Sequence, residues 1–513
     1  MFDLVIKNGK IIDGTGSPSF FSDIAIKDGK IVRVGKNPGE AKKIIDASGL
    51  TVTPGFIDSH SHSDNAMVDF PDLIEKTEQG ITTSIAGQCG GSPAPANISP
   101  DDDKFIEGIG KMSEVRATMG SFLDTFKNIP LGSNTVCLVG HGTIRKSVMG
   151  MNQSKPTQEE LEKMKELLRD AMEHGALGIS FGLIYPPSCY ADTDELIEMA
   201  KVVKEYNGIV ASHIRGEGMK LAKATKEFLD IVKAADVRGV LSHHKACGEP
   251  ENWGKVSHTL RMIDEANAEG FDVYCDVYPY VATHTTTSVT FVPDSGRDLL
   301  ARLADADERQ KMKEWNLEQW WANDLSWTQI AKCAAYPQYE GLFIPEIAKL
   351  HGTDEYEAIF DMILHSKNDC SACYFTMCEE DVETVMAHPR AMICTDASVA
   401  KGKTVFHPRT KGSFPRVLGR YVRERNVTTL PEMIRKMTSM PAAVYGLKTK
   451  GLIWEGMDAD ICIFDADKIK DNSEFTNCNV RADGLNYVII GGEVVAENAV
   501  YNGKRMGKLI LRD

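Results

Sequence analysis

The sequence predicts a (β/α)8 barrel inserted into a small β-sandwich domain formed by both chain termini. Three observations carry that expectation. Strand-like apolar runs alternate with amphipathic helical stretches through the middle of the chain, the pattern of a parallel α/β sheet. Eight such runs occur, at 52–58, 81–87, 136–140, 176–180, 209–213, 239–243, 271–278 and 391–396. Short β-branched runs broken by turn dipeptides occur at both ends.

At the amino end, residues 1–53 hold the runs 4–6, 11–12, 24–26 and 31–34, separated by Asn8-Gly9, Asp13-Gly14 and Asp28-Gly29, which are hairpin signals. Residues 441–513 repeat the style, with Ile461-Cys462-Ile463-Phe464 and Tyr487-Val488-Ile489-Ile490 before Gly491-Gly492. The two ends are therefore expected to meet in one domain, with 54–440 as the barrel between them. Helical patterns at 158–174, 194–206 and 220–234 separate barrel strands. Eight strands over about 350 residues fit a barrel with insertions. A doubly wound sheet would use the same elements, but no GxGxxG follows a first strand. Residues 293–352 break the repeat: they are polar and hold four of the six tryptophans. On the active face of a barrel they read either as a lid or as a helical decoration.

Composition narrows the function. Of 513 residues, 42% are hydrophobic and 26% charged, which excludes a disordered or fibrous chain. Lys plus Arg is 58 against 73 Asp plus Glu, a net charge of −15, which argues against nucleic-acid and anionic-membrane partners. Twelve cysteines are too sparse for a disulfide scaffold, and the single CxxC, Cys370 and Cys373, lacks a second pair and reads as ordinary thiols. The start carries no secretory signal, and no stretch is apolar enough to span a membrane, so the cytosol is the expected location. Oligomeric state is not legible; the run 502–512 reads equally as a final strand or as an arm to a neighbour.

Candidate chemistry collects where barrel strands end. His60 and His62 form an HxH after the first run, with both imidazoles on one side of an extended chain. Cys89 follows the second run, His213 ends the fifth, His243 the sixth and Asp396 the eighth. Each has an ordinary alternative: a small buried hydrophobe for the cysteine, a satisfied core imidazole for the histidines, a helix cap for the aspartate. Their recurrence at the carboxyl ends of strands, where barrel enzymes keep their ligands, favours a metal site. Alternation lets only one of His243 and His244 face the barrel mouth; His243 is preferred because Lys245 then shares its face.

With these motifs, the chain resembles the amidohydrolase superfamily and, within it, the D-aminoacylase (N-acyl-D-amino-acid deacylase) family. PGFIDSHSH, GQCGGSPAP, GLIYPP, SHIRGEG, SHHKACG, DVYPY, HPRTKGSFPRVL and GMDADICIFD carry the likeness over essentially the whole chain. Many superfamily members bridge two metals with a carboxylated lysine on strand four, yet 176–185 contains no Lys. The resemblance implies Cys89 in its place. It further implies that Cys89, His213 and His243 hold one tight Zn²⁺, and that His60, His62 and Asp396 form or border a weaker second position. Lys245, Tyr185, Tyr278 and Arg409 would bind the carboxylate of an N-acyl amino acid, with Tyr280 the substitute for Tyr278; Arg416 receives no role. Fixed cations are what a carboxylate entering a low-dielectric cleft requires, and Arg offers a bidentate fork; an ion pair within the protein is the plain alternative for both. Asp396 would act as general base and then general acid in amide hydrolysis. His284, in the loop after the seventh run, reads as a mark of a polar or acidic substrate side chain or as a loop cap. The competing functions are a cyclic-amide (dihydroorotase- or hydantoinase-like) or lactone hydrolase on the same donors, and a metal-barrel scaffold without activity.

Overall fold

The computed structural model describes residues 1–322, 324–399 and 407–512. Asn323, inside the predicted insertion, 400–406, after the eighth run, and Asp513 lie outside the described residues. Eight parallel barrel strands follow one another: Phe56–Asp58, Ile81–Ala86, Asn134–Cys137 continued by Val139–Gly140, Gly178–Gly182, Ile209–His213, Arg238–Leu241, Val273–Val277 and Ala391–Ile393. The third strand is broken at Leu138; its first half pairs with the second strand and its second half with the fourth. The ring closes between strands one and eight, where Asp396 N donates to the His60 carbonyl (2.9 Å) and Ser61 bridges Ala397 in parallel. Ile57, Ile85, Val136, Leu177, Ile209 and Met392 belong to a core cluster drawn from successive barrel strands, plugged from one end by Met440, Val444 and Tyr445.

The run 52–58, expected as one barrel strand, is two. Thr51–Pro54 pairs antiparallel with Ile461–Phe464, and Phe56–Asp58 enters the barrel. Gly55 N donates to Asp460 O (2.8 Å), whereas Phe56 N donates to Gly80 O (3.1 Å), so the chain changes sheets within one residue. A Cβ on Gly55 would lie 2.2 Å from the Thr82 hydroxyl, so only glycine lets the chain cross there.

The Thr51–Pro54 pairing joins the two ends of the chain into one nine-stranded sheet. Its first strand, Phe2–Ile11, pairs through residues 2–7 with Ala41–Asp46 and through residues 10–11 with Thr51–Pro54. The sheet thereby divides into leaves around Leu4, Ile24, Ile45, Ile461 and Ile489. Of the hairpin signals, Asp28-Gly29 is a two-residue hairpin with both residues at positive φ. Asn8-Gly9 instead makes a bulge inside the first strand, because Asn8 takes the left-handed conformation while the register resumes beyond it. The last residues return to the barrel: Thr135 bridges Leu509 in parallel and Arg512 N donates to Gly175 O (2.9 Å).

The insertion is wider than 293–352. It opens with Thr283–Thr286 directly after the seventh strand and includes Thr328–Cys333 and Cys370–Tyr374, which form a three-stranded antiparallel sheet. Helices Ala306–Leu317 and Glu355–His365 pack on it around Phe291, Ile330, Ile359, Phe360 and Ile363, a core of its own. The outer strands were missed because Thr283–Thr286 is all polar and half-buried. No helix among the described residues is long and apolar enough to cross a membrane.

A buried ion pair secures the seam. Lys76 Nζ lies 2.9 Å from Asp58 Oδ2 and also donates to Thr395 Oγ1 (3.1 Å), while Asp58 accepts from Thr395 N (2.8 Å). Both side chains are essentially inaccessible. Replacing Lys76 by Met leaves the buried Asp58 carboxyl without its cation, and is expected to cost about 3–5 kcal/mol of stability. The check is a lowered urea midpoint at unchanged slope, with part of the loss recovered when Asp58→Asn is added.

Candidate metal centre

Cys89 sits in the turn after the second strand, at φ +52°. That turn docks on the fourth strand: Gly90 N donates to Ser180 Oγ (3.0 Å), and Ser180 Oγ donates to Gly87 O (2.6 Å). A Cβ on Gly182 would stand 1.9 Å from Cys89 O, so the end of strand four must be bare for the sulfur to reach the barrel axis. Around the sulfur lie His60 Nε2 and His243 Nε2, each at 3.3 Å, and His213 Nδ1 at 3.8 Å. His213 Nδ1 and His243 Nε2 are 2.9 Å apart. His62 Nε2 and His60 Nε2 approach Asp396 Oδ1 at 3.1 and 3.5 Å.

The donors fall into two groups: Cys89, His213 and His243 in one, His60, His62, Cys89 and Asp396 in the other, each with ligand atoms within 4.8 Å of one another. Cys89 belongs to both. Three of the residues, Cys89, His243 and Asp396, take positive φ without being glycine, a cost that concentrates at functional sites. Burial pushes the Cys89 thiol well above its usual range and holds His213 neutral, down to about 3. A protonated Cys89 thiol and the neutral imidazoles of His60 and His213 cannot all satisfy one another and His243 at these separations, since each proton serves one contact. A central cation serves them together, and sulfur with imidazole nitrogen suits zinc. His62 is the most open of the six, its side chain 34% exposed.

Carboxylates stand behind the ligands. Glu217 Oε1 is 3.2 Å from His243 Nδ1 and Oε2 is 3.7 Å from His213 Nε2. If His243 binds a metal through Nε2, its proton sits on Nδ1 and is donated to Glu217. Burial raises Glu217, but Lys245 at 2.6 Å outweighs it and keeps the carboxylate ionised far below its ordinary range. Asp276, on the seventh strand, accepts from His243 N (2.5 Å) and lies 3.9 Å from His60 Nδ1; burial pushes it up to about 8. Sequence reasoning passed over both acids. The available signals were an acid four residues beyond His213 and a charge inside the apolar strand 273–277.

Lys245 and Arg409 reach the same cavity, each near the Tyr278 ring. Their cationic atoms lie 5.7 and 5.1 Å from the Tyr278 ring centroid. Arg409 Nη1 bonds Asp396 Oδ2 at 2.6 Å. Burial alone would raise Asp396; Arg409, then His243 and His62, hold it well below its ordinary range. Tyr185 packs its ring on His213 (5.1 Å between centroids), and its hydroxyl accepts from Thr285 Oγ1 (3.4 Å). The turn that carries Tyr185 is pinned by a buried chain: Ser188 Oγ to His141 Nδ1 at 2.8 Å, and His141 Nε2 to Glu195 Oε1 at 2.9 Å. Nine of the ten predicted site residues line one cavity, and His60 is buried behind it, 3.3 Å from the Cys89 sulfur. His244 turns away to Thr259 Oγ1 (2.8 Å), and Tyr280 packs under Arg416, whose Nε donates to Pro279 O.

A closed parallel barrel with thiolate, imidazole and carboxylate donors at one mouth, and a cationic corner beside them, defines a metal-dependent hydrolase of the barrel type. An amidohydrolase family model matches residues 43–313 and 380–496. The chain is 34% identical to a D-aminoacylase from Alcaligenes xylosoxydans xylosoxydans, over all of this chain and 98% of the relative. It is also 34% identical to an N-acyl-D-glutamate deacylase of the same organism, over 100% and 97%. Among solved structures it is similar to an N-acyl-D-glutamate deacylase from Bordetella bronchiseptica, complexed with zinc and a phosphonate mimic of the tetrahedral intermediate (32% identity, all of both chains, TM-score 0.85). The chain belongs to the amidohydrolase family, in its D-aminoacylase and N-acyl-D-amino-acid deacylase group.

Because Cys89 is the one donor common to both groups, Cys89→Ala is expected to purify without tightly held zinc. Elemental analysis checks this; zinc at the wild-type stoichiometry would remove the sulfur from the ligand set.

Proposed function

We propose that the protein hydrolyses the amide bond of N-acyl-D-amino acids with zinc as its metal, releasing a carboxylic acid and a free D-amino acid. The observation that carries the reading is the placement of two buried cations, Lys245 and Arg409, beside the cysteine–histidine donor cluster in one cavity. The choice of an N-acyl-D-amino acid rests on the likeness to D-aminoacylase and to N-acyl-D-glutamate deacylase. A lactone or an uncharged cyclic amide such as a hydantoin, hydrolysed on the same donors, would have no use for that cationic corner.

Cys89, His213 and His243 would hold the tight ion; His60, His62 and Asp396 would form the weaker position. Bound zinc supplies Lewis acidity toward the acyl oxygen and a water of pKa near 7. Asp396 is the base that takes the proton from the attacking water, being kept ionised by Arg409. The same carboxyl returns the proton to the nitrogen, since an amine leaves readily and an amide anion does not. Arg409 has guanidinium N–H groups beyond the one spent on Asp396, and with Lys245 it receives the substrate carboxylate. Tyr185 and Tyr278, whose hydroxyls burial keeps protonated, complete that pocket. We place the protein in the cytosol, where its twelve free cysteines would stay reduced.

Zinc-loaded protein is expected to release amine from N-acetyl-D-methionine and not from the L form, followed by a colorimetric amine assay; equal rates would overturn the stereochemical assignment. Asp396→Asn should keep the tight zinc and lose roughly 10²–10⁴ in kcat. Near-normal turnover in zinc-replete Asp396→Asn would rule out its role as base.

A further inference from the structure

We infer that Cys333 and Cys370, set opposite each other on neighbouring strands of the insertion, are a modification site: a peroxide closes them into a disulfide that staples the sheet beside the cavity. The inference does not depend on the deacylase reading.

The sequence alone points to a different pair. Cys370 and Cys373 form the single CxxC of the chain, and both lie on the strand Cys370–Tyr374. Residues three apart in an extended strand are about 10 Å apart and point to opposite faces, beyond the roughly 7 Å that a disulfide allows between Cα atoms. The sheet supplies another partner. Cys370 is in register with Cys333, at the end of the antiparallel strand Thr328–Cys333. The two exchange no backbone hydrogen bond: Cys333 N donates to Glu340 Oε1 (3.2 Å), and Cys370 O accepts from Thr287 Oγ1 (3.2 Å). The ladder bond falls on the next pair, from Ala334 N to Asp369 O (3.1 Å). A pair of this kind brings its Cα atoms to about 4.5 Å, inside the range of roughly 4.4–6.8 Å that a disulfide spans, with both side chains on one face.

The thiols are also placed to react with each other. Both belong to the core of the insertion, Cys333 fully buried and Cys370 nearly so. The Cys370 thiol hydrogen-bonds the Cys333 sulfur. That sulfur also lies 3.4 Å from Ser366 Oγ, which accepts from Ala335 N (3.0 Å) and keeps its own proton for the sulfur. The Cys370 thiol beside it brings Cys333 below the usual thiol range, and Cys370 is pushed up in turn. Cys333 is therefore the attacking thiolate.

Burial restricts the oxidant to a small molecule, a peroxide. The Cys333 thiolate attacks one oxygen of hydrogen peroxide; the O–O bond breaks, a sulfenic acid forms, and the leaving hydroxide takes up a proton to become water. The Cys370 sulfur then attacks the sulfenic sulfur, the S–O bond breaks, and the departing hydroxide leaves with the Cys370 proton as a second water. The two sulfurs together lose two electrons and the peroxide gains them. The staple encloses 334–369, with helices Ile344–His351 and Glu355–His365. The other face of the same strand pair carries Lys332 and Ser371, which line the cavity with Trp315, Trp320, Trp321 and Trp327.

The test is peptide mapping of the folded, zinc-loaded protein after exposure to hydrogen peroxide. The peroxide is removed, the chain is unfolded in urea with an alkylating agent, and digestion follows without reductant. The expected product, in most chains, is a linked peptide joining Cys333 to Cys370, two hydrogens lighter than its separate parts. The link should persist in Cys373→Ser and disappear in Cys370→Ser; the wild-type map decides the question even where a variant folds poorly. Alkylation of both Cys333 and Cys370 after peroxide treatment would overturn the inference. So would Cys333 recovered as a sulfinic acid beside an alkylated Cys370, or a link from Cys370 to Cys373 or to any other cysteine.

Discussion

The seam between the first and eighth barrel strands is the constraint on which the rest depends. Only three residues of each strand are regular, and the closure is short: Asp396 N on the His60 carbonyl, Ser61 beside Ala397, and the Asp58–Lys76 pair with Thr395 underneath. That pair is two charges taken fully out of water, so it holds only as a complete hydrogen-bonded set. Its product is local. It fixes His60 and Asp396, which are 336 positions apart in sequence, at ligand distance from each other, and the other donors converge on the point they define.

A protein of net charge −15 builds its site by local pairing of opposite charges. Lys245 is matched by Glu217 and Arg409 by Asp396; Lys245 Nζ also meets His243 Nδ1 (2.9 Å) and donates to His243 O (3.0 Å), whereas Arg409 keeps guanidinium N–H groups beyond the one spent on Asp396. The acids do two things at once: they permit the burial of the two cations, and Glu217 stands 3.2 and 3.7 Å from the outer nitrogens of His243 and His213. The backbone contributes as well. Left-handed residues at Cys89, His243 and Asp396 turn the chain sharply just past a strand, which brings the side chain over the barrel mouth rather than along its wall.

That last point marks where reading the sequence by pattern stops. Strand alternation separates His243 from His244 on paper, yet the sixth strand ends at Leu241 and the two side chains diverge through a turn. His243 Nε2 lies 3.3 Å from the Cys89 sulfur and His244 Nε2 2.8 Å from Thr259 Oγ1, a divergence made by the turn and not by strand alternation. The donors themselves were legible because histidine, cysteine and aspartate recurred after apolar runs. Glu217 and Asp276 were not, because one sits in a glycine-flanked loop and the other looks like a flaw in an apolar strand. The insertion was visible as a cluster of tryptophans, but its strands carry no period-two hydrophobic signal and its limits were drawn too narrowly.

By itself the sequence determined the alternation of elements, the return of both ends to one sheet and which side chains stand as candidate donors, because these follow from local hydrophobic period, turn chemistry and residue type. Only the tertiary structure decided that one sulfur is shared between two ligand groups, that the cations arrive already paired, and that tryptophans distant from every ligand line the same cavity. Those are distances between segments far apart along the chain. They are set by how the barrel closes and how the insertion packs, and no local pattern encodes them.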